Sequence, residues 1–122
     1  YAAGLDGNIK GYLPFIAETG FDILDGCTPA PMFNYEVEEL AAATRGGMAC
    51  WCGVPAGLFT IGHPREAIAD FGERIAKAFG GRVVVNVGDI LPPGGDIEAV
   101  VALGERIASM ELRHRLPAGA LE

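Results

Sequence analysis

No run of apolar residues in this sequence approaches the roughly 20 that a membrane-crossing helix needs, and no basic segment followed by an apolar one opens it. The expectation is a chain with neither membrane anchor nor secretory leader. Cysteine is sparse, three residues in an odd count without framework spacing, which argues against a disulfide scaffold and for a reducing cytoplasm. Basic residues are outnumbered, 9 against 16 acidic, for a net charge of -7. Such a surface repels phosphate backbones and anionic lipid, so neither nucleic acid nor membrane is an expected partner. Glycine is frequent, 18 residues, yet no G-x-G-x-x-G or Walker pattern occurs, and no dinucleotide or other cofactor is expected. Low-complexity segments and linkers are absent too, so residues 1–120 read as one domain. The first residue is Tyr1 rather than methionine, as expected of a cut, processed or trimmed chain. Leu121-Glu122 resembles a cloning scar and is set aside.

What is present is one pattern used four times. Phe21 to Leu24, Met48 to Trp51 and Arg82 to Val87 are short apolar stretches of strand character, clearest in the β-branched run Val83-Val84-Val85. Tyr1 to Leu5 reads as a fourth strand. Strands that are continuously apolar, rather than alternating, suggest a parallel sheet covered on both faces. A helix is expected after each strand. The first presents Ile9, Tyr12, Leu13 and Ile16, with Pro14 kinking it or delaying its start. The second is capped by Asn34 and buries Val37, Leu40, Ala41 and Thr44, ending at Gly46-Gly47. A third opens at Pro64 and presents Ile68, Phe71, Ile75 and Phe79. The last is capped by Asp96 and buries Ile97, Val100, Val101, Gly104 and Ile107. This β-α order fits right-handed crossovers, and both doubly wound sheets and TIM barrels satisfy it.

In parallel α/β folds, function gathers in the loops after the carboxyl ends of strands. The expected loops are Asp6-Gly7-Asn8, Asp25-Gly26-Cys27-Thr28, Cys52-Gly53-Val54-Pro55 and Asn86-Val87-Gly88-Asp89. Their recurring Asp and Gly can form a ring of carboxylates around a pocket mouth, or can simply be good turn chemistry. Cys50 and Cys52 flank Trp51 and would share one strand face, with Cys27 ending the neighbouring strand. Joined by His63 they would make a zinc set, but Cys-x-Cys without a second ligand pair favours buried packing. Neither His63 nor His114 has a serine or cysteine partner for a triad. Gly94-Gly95-Asp96 reads as a flexible cap, although a helix N-terminus there could receive a phosphate.

Taken in order, Leu5-Asp6-Gly7-Asn8, then Leu13-Pro14-Phe15-Ile16-Ala17-Glu18-Thr19-Gly20-Phe21-Asp22, then Gly53-Val54-Pro55, and finally Val85-Asn86-Val87-Gly88-Asp89-Ile90-Leu91-Pro92-Pro93 resemble the C-terminal half of uroporphyrinogen decarboxylase-like proteins. That superfamily also holds methyltransferases that act with corrinoid proteins. The resemblance implies the C-terminal (β/α)4 half of a TIM-type (β/α)8 barrel, with its cleft at the carboxyl ends of the strands. It implies a cofactor-independent lyase of porphyrin biosynthesis that removes carboxyl groups from a tetrapyrrole-type substrate, inactive as this half alone. In the methyltransferases a His-x-Cys pair binds zinc at the first loop, where this chain has Gly4 and Asp6. Their further cysteine follows the last strand, where it has Asn86 to Asp89. No metal site is therefore expected. In the decarboxylases a Gly-His-Gly segment stands where this chain reads Gly88-Asp89-Ile90, and their catalytic arginine and aspartate belong to the other half.

The resulting expectation is a small-molecule site with Asp6 and Asp89 as catalytic residues and Asp25 and Asn86 as substrate-binding residues. Asp6 and Asp89 should approach each other near the strand ends, on the same rim. The alternatives are a corrinoid-linked methyltransferase and a non-catalytic half-barrel that assembles or binds. A half-barrel exposes two strand edges and an apolar inner face, so a homo-oligomer is expected.

Overall fold

A computed structural model of the chain describes residues 1–44, 47–60 and 62–110. The fold is α/β. Strands β1 (Ala2–Gly4), β2 (Ile23–Cys27), β3 (Ala49–Val54) and β4 (Val83–Val87) form one all-parallel sheet in the order β1-β2-β3-β4. Between them run a 3-10 segment (Lys10–Glu18), helix α1 (Val37–Ala43), a 3-10 turn (Ala56–Phe59) and helix α2 (Arg65–Phe79), with helix α3 (Ile97–Ser109) after β4. His114 and Leu121-Glu122 lie outside the described residues.

Strand order follows chain order, so every crossover steps in the same direction. Crossovers of one hand then collect their helices on a single face. Burial agrees with this. Leu24, Cys27, Cys50, Cys52 and Val54 are buried, while Trp51 and Val84, which pair with each other, are exposed. The expectation of a sheet covered on both faces is corrected: among the described residues, one face carries no helical layer. The apolar alternate face of β3 and β4 had suggested a second cover that these residues do not supply.

β2 and β3 also start and end later than expected, whereas β4 ends at Val87 as expected and β1 stops one residue short, at Gly4. β2 continues through Asp25-Gly26 to Cys27, with a register shift between Leu24 and Cys27 and Gly26 at φ +80°. The Asp-Gly pair that reads as a turn is absorbed as an irregularity inside the strand. β3 likewise runs on through Cys52-Gly53-Val54.

Helix faces follow period and neighbours. In the first connection Leu13 and Ile16 are buried three residues apart, while Tyr12 and Phe15 are exposed. A 3-10 helix repeats every three residues, which moves Tyr12 off the stripe an α-helix would give it. The cap of α1 is Glu36, whose backbone N–H donates to the Glu39 carboxylate at 2.8 Å. Asn34 instead accepts from the Lys10 backbone N–H at 3.2 Å. Thr44 is buried, its hydroxyl donating to the Ala41 carbonyl. In α2 the expected Ile68, Ile75 and Phe79 are buried, with Arg74 over the half-buried Phe71 ring. Pro64 precedes the helix as its cap residue. Asp96 caps α3 as expected, accepting from the Glu98 N–H at 3.1 Å. The buried face of α3 is Ala99 and Leu103, packed on α2, and Ile97 and Val101 are exposed. The sheet ends at β4, so nothing among the described residues covers that side.

The carboxyl ends of β2, β3 and β4 are drawn together by Gly53 and Gly88. The Gly88 N–H donates to the Val54 carbonyl at 2.7 Å. A Cβ on Gly53 would fall 2.8 Å from the Gly88 nitrogen and 3.0 Å from the Thr28 hydroxyl. Gly53→Ala is therefore expected to destabilise the fold by about 1–3 kcal/mol, the usual cost of overpacking. Urea unfolding midpoints check this, with Gly57→Ala, where the added Cβ meets open space, as the control.

Candidate functional site at the carboxyl rim

The four expected site residues come from both outer strands and from β2. Asp6 follows β1, is exposed, and its carboxylate accepts from the Gly7 N–H at 2.9 Å. Asp25 is exposed in β2, beside Gly4 of β1, and accepts from the Gly26 N–H at 2.7 Å. Asn86 is a β4 strand residue beside Gly53 of β3. Asp89 lies two residues past the end of β4. Asp25 and Asn86 are thus not loop residues, as expected, but strand residues, and alternation puts both on the uncovered face.

Asp6 and Asp89 follow the carboxyl ends of β1 and β4, so they share a rim. The expectation that they approach each other is corrected, because β1 and β4 are the opposite edges of the sheet. Three strand spacings of about 4.8 Å separate their strands, roughly 14 Å across the sheet. The residues placed between them on the uncovered face are Asp25, Asn86 and Trp51. Trp51 is a residue the sequence reading passed over as a site candidate. The signal was available, since burying Cys50 and Cys52 on one face turns the residue between them to the other.

Three features set these side chains apart. Among the described residues no ion pair engages Asp6, Asp25 or Asp89, whereas most helix carboxylates are paired: Glu36 and Glu38 with Arg74, Asp96 with Arg65, and Glu66, Asp70 and Glu73 with Arg106. The Asn86 carboxamide oxygen is buried with no hydrogen-bond partner, an arrangement that costs free energy until a donor reaches it. Asp89 is also the one non-glycine at positive φ among the described residues, at +67°. Backbone strain of this kind collects at functional sites and tight turns alike. An ionised carboxylate and a carboxamide oxygen are acceptors, so this rim presents acceptors to a ligand's N–H and O–H groups beside an exposed indole face.

The three thiols sit on the opposite, helix-covered face. Cys27 and Cys52 are register partners, Cys50 lies two residues from Cys52, and all three are buried. A hydrogen bond with Cys50, then burial, pushes the Cys27 thiol well above its ordinary range. For Cys50 the contact with Cys27 pulls down, but the hydrogen bond with Cys52 and burial prevail and raise it. The nearby Tyr35 hydroxyl is raised chiefly by burial. Neutral, buried thiols are poor nucleophiles and poor metal ligands. His63 is exposed, and among the described residues no three His, Cys, Asp or Glu side chains are grouped to hold a metal ion.

No known family model matches the chain, and no curated protein matches it.

Two outcomes follow from this geometry. Asp89→Ala should lower stability by about 1 kcal/mol, because alanine fits the left-handed region less well than aspartate, while Asp89→Gly should leave it within about 0.5 kcal/mol. Thermal melts of both variants decide the point, and a fully stable Asp89→Ala would remove the strain. The thiols should react with an aromatic disulfide reagent at pH 8 no faster than the chain opens, and all three at once in guanidinium. Rapid native labelling of any one of them would contradict their burial.

Proposed function

We propose that the chain supplies four of the eight units of a (β/α)8 barrel of the uroporphyrinogen decarboxylase-like kind. In this reading its carboxyl rim forms half of a pocket for a tetrapyrrole-type or related carboxylate substrate, decarboxylated without a cofactor. The observation that carries the proposal is the unbroken strand order with helices on one face. A doubly wound sheet reverses its order at a switch point and is covered on both sides, whereas a barrel steps one way and keeps its helices outside. On that account the uncovered face is a barrel interior, and Asp25, Trp51 and Asn86 point into it, with Asp6 and Asp89 at its mouth.

The chemistry sets a division of labour. The carboxylate oxygens of Asp6, Asp25 and Asp89 and the orphaned Asn86 Oδ1 are acceptors suited to the ring N–H donors of a tetrapyrrole, and only the Asn86 NH2 offers a donor to its carboxylates. Cations for those carboxylates would come from the other half, where the resemblance places an arginine. Substrate binding without turnover is the expected behaviour of this half alone.

Anaerobic calorimetric titration with uroporphyrinogen tests the proposal. Saturable binding is expected, weakened roughly tenfold by Asp25→Asn or Asp89→Asn, the scale of one charge-assisted hydrogen bond. No binding by the wild-type chain, or equal affinity in both variants, would dismiss it.

A further inference from the structure

Strand register places four positions in one row across the uncovered face. Gly4 pairs with Asp25, and Trp51 pairs with Val84. Leu24 pairs with Cys50, so the residues that follow them, Asp25 and Trp51, are neighbours. The row therefore reads Gly4, Asp25, Trp51, Val84. Trp51 is 46% and Val84 49% exposed. Neighbouring strands stand about 4.8 Å apart, which sets the Asp25 carboxylate beside the indole. One of its oxygens accepts from the Gly26 N–H, and the other accepts no hydrogen bond among the described residues. The two sides of this pair differ. Toward the carboxyl rim the next β3 position on this face is Gly53, and the space of its missing side chain is taken. A Cβ there would fall 2.8 Å from the Gly88 nitrogen and 3.0 Å from the Thr28 hydroxyl. On the β1 side the flank is Gly4, where a Cβ would meet nothing within 4 Å. The row is a shelf under a backbone ledge, open past Gly4, with one aromatic surface and one acceptor edge.

We infer that Trp51 and Asp25 form a subsite for one planar heteroaromatic ring that bears an N–H. Trp51 stacks on the ring face and Asp25 accepts its N–H, which makes Trp51 the residue that selects for flat rings. The inference rests on the barrel reading and deepens it, because a single ring, rather than the whole macrocycle, becomes the unit recognised here. Complementarity carries the argument. A stacked ring gives its face to the indole and directs its N–H along its own plane, toward an acceptor at the same height. An aliphatic donor satisfies Asp25 and leaves the indole bare. A ring without an N–H covers the indole and desolvates a carboxylate that it cannot pair, which costs free energy. Anionic substituents on the ring are repelled by Asp25 and turn to the open side past Gly4. Val84 continues the platform beyond the indole.

Trp51 is the single tryptophan of the chain, so its indole N–H gives one resonance in a heteronuclear correlation spectrum, and that resonance is the readout. Pyrrole is expected to shift it saturably in the millimolar range, the reach of so small a ligand. N-methylpyrrole keeps the ring face and loses the N–H, whereas pyrrolidinone keeps the N–H and loses the aromatic face. Each should bind about tenfold more weakly than pyrrole. Asp25→Ala should erase the preference for pyrrole over N-methylpyrrole. In calorimetry with uroporphyrinogen, Trp51→Leu should bind about tenfold more weakly and Trp51→Phe should recover most of that loss, with circular dichroism checking that each variant folds. An unmoved indole resonance, equal affinity for the three probes, a preference that survives Asp25→Ala, or full affinity in a folded Trp51→Leu would each overturn the inference. If uroporphyrinogen binds and the probes do not differ, the subsite is lost and the barrel reading stands. If pyrrole behaves as expected and uroporphyrinogen does not bind, the tetrapyrrole assignment is lost and the subsite stands.

Discussion

Everything in this chain depends on the one-way stepping of its crossovers. A strand that feeds a right-handed connection lands its successor on a fixed side, and three such steps without reversal, with α3 packed on α2, leave all helices on one face. The sheet is therefore asymmetric by construction. One face is closed by Leu24, Cys27, Cys50, Cys52 and Val54 against the helical layer, and the other presents Trp51 and Val84. Hydrophobic burial stabilises the first face at about 25 cal/mol per Å², and among the described residues nothing does the same for the second.

The same asymmetry sorts the charges. Most carboxylates with a partner lie on the outer, helical side, where Arg74 joins α1 to α2, Arg106 joins α2 to α3, and Arg65 reaches the Asp96 cap. Being exposed, such pairs are worth little individually, and their contribution is to hold helix to helix in register. Among the described residues, Asp6, Asp25 and Asp89 at the rim are left without such partners. Close packing at Gly53, Gly88 and Thr28 gathers the ends of β2, β3 and β4 beside Asn86 and Asp89. Unpaired acceptors held on rigid backbone are what a binding site needs, and the uncovered face supplies an aromatic surface beside them.

Much of the architecture was legible in the residues. Val83 to Val87 could only be a strand, Asp96 could only begin a helix after Gly94-Gly95, and the apolar strands announced a parallel sheet. The β-α order was equally plain. Errors gathered where local chemistry and long-range pairing compete. Asp25-Gly26 has the chemistry of a turn, yet β2 runs through it because β3 continues alongside and pairs Cys52 with Cys27. Tyr12 was expected to be buried on an α-helical period, which a 3-10 connection does not have. Ile97 and Val101 have the right period for burial on α3 but no neighbour on that side among the described residues. Of the site, the sequence marked Asp6, Asp25, Asn86 and Asp89 as candidates but could not separate strand from loop among them, and it overlooked Trp51.

By itself, then, the sequence determined the kinds of element, their order, the parallel sense of the sheet and the acidic character of its surface. These follow from local backbone preference, side-chain period and composition, which neighbours in the chain are enough to set. Only the tertiary structure decided which face of the sheet is covered, where each strand ends, and which carboxylates stay unpaired. Those outcomes depend on contacts between residues tens of positions apart, such as Gly53 with Gly88 or Arg106 with Glu66. No local signal encodes such contacts until the chain has folded and brought them within reach.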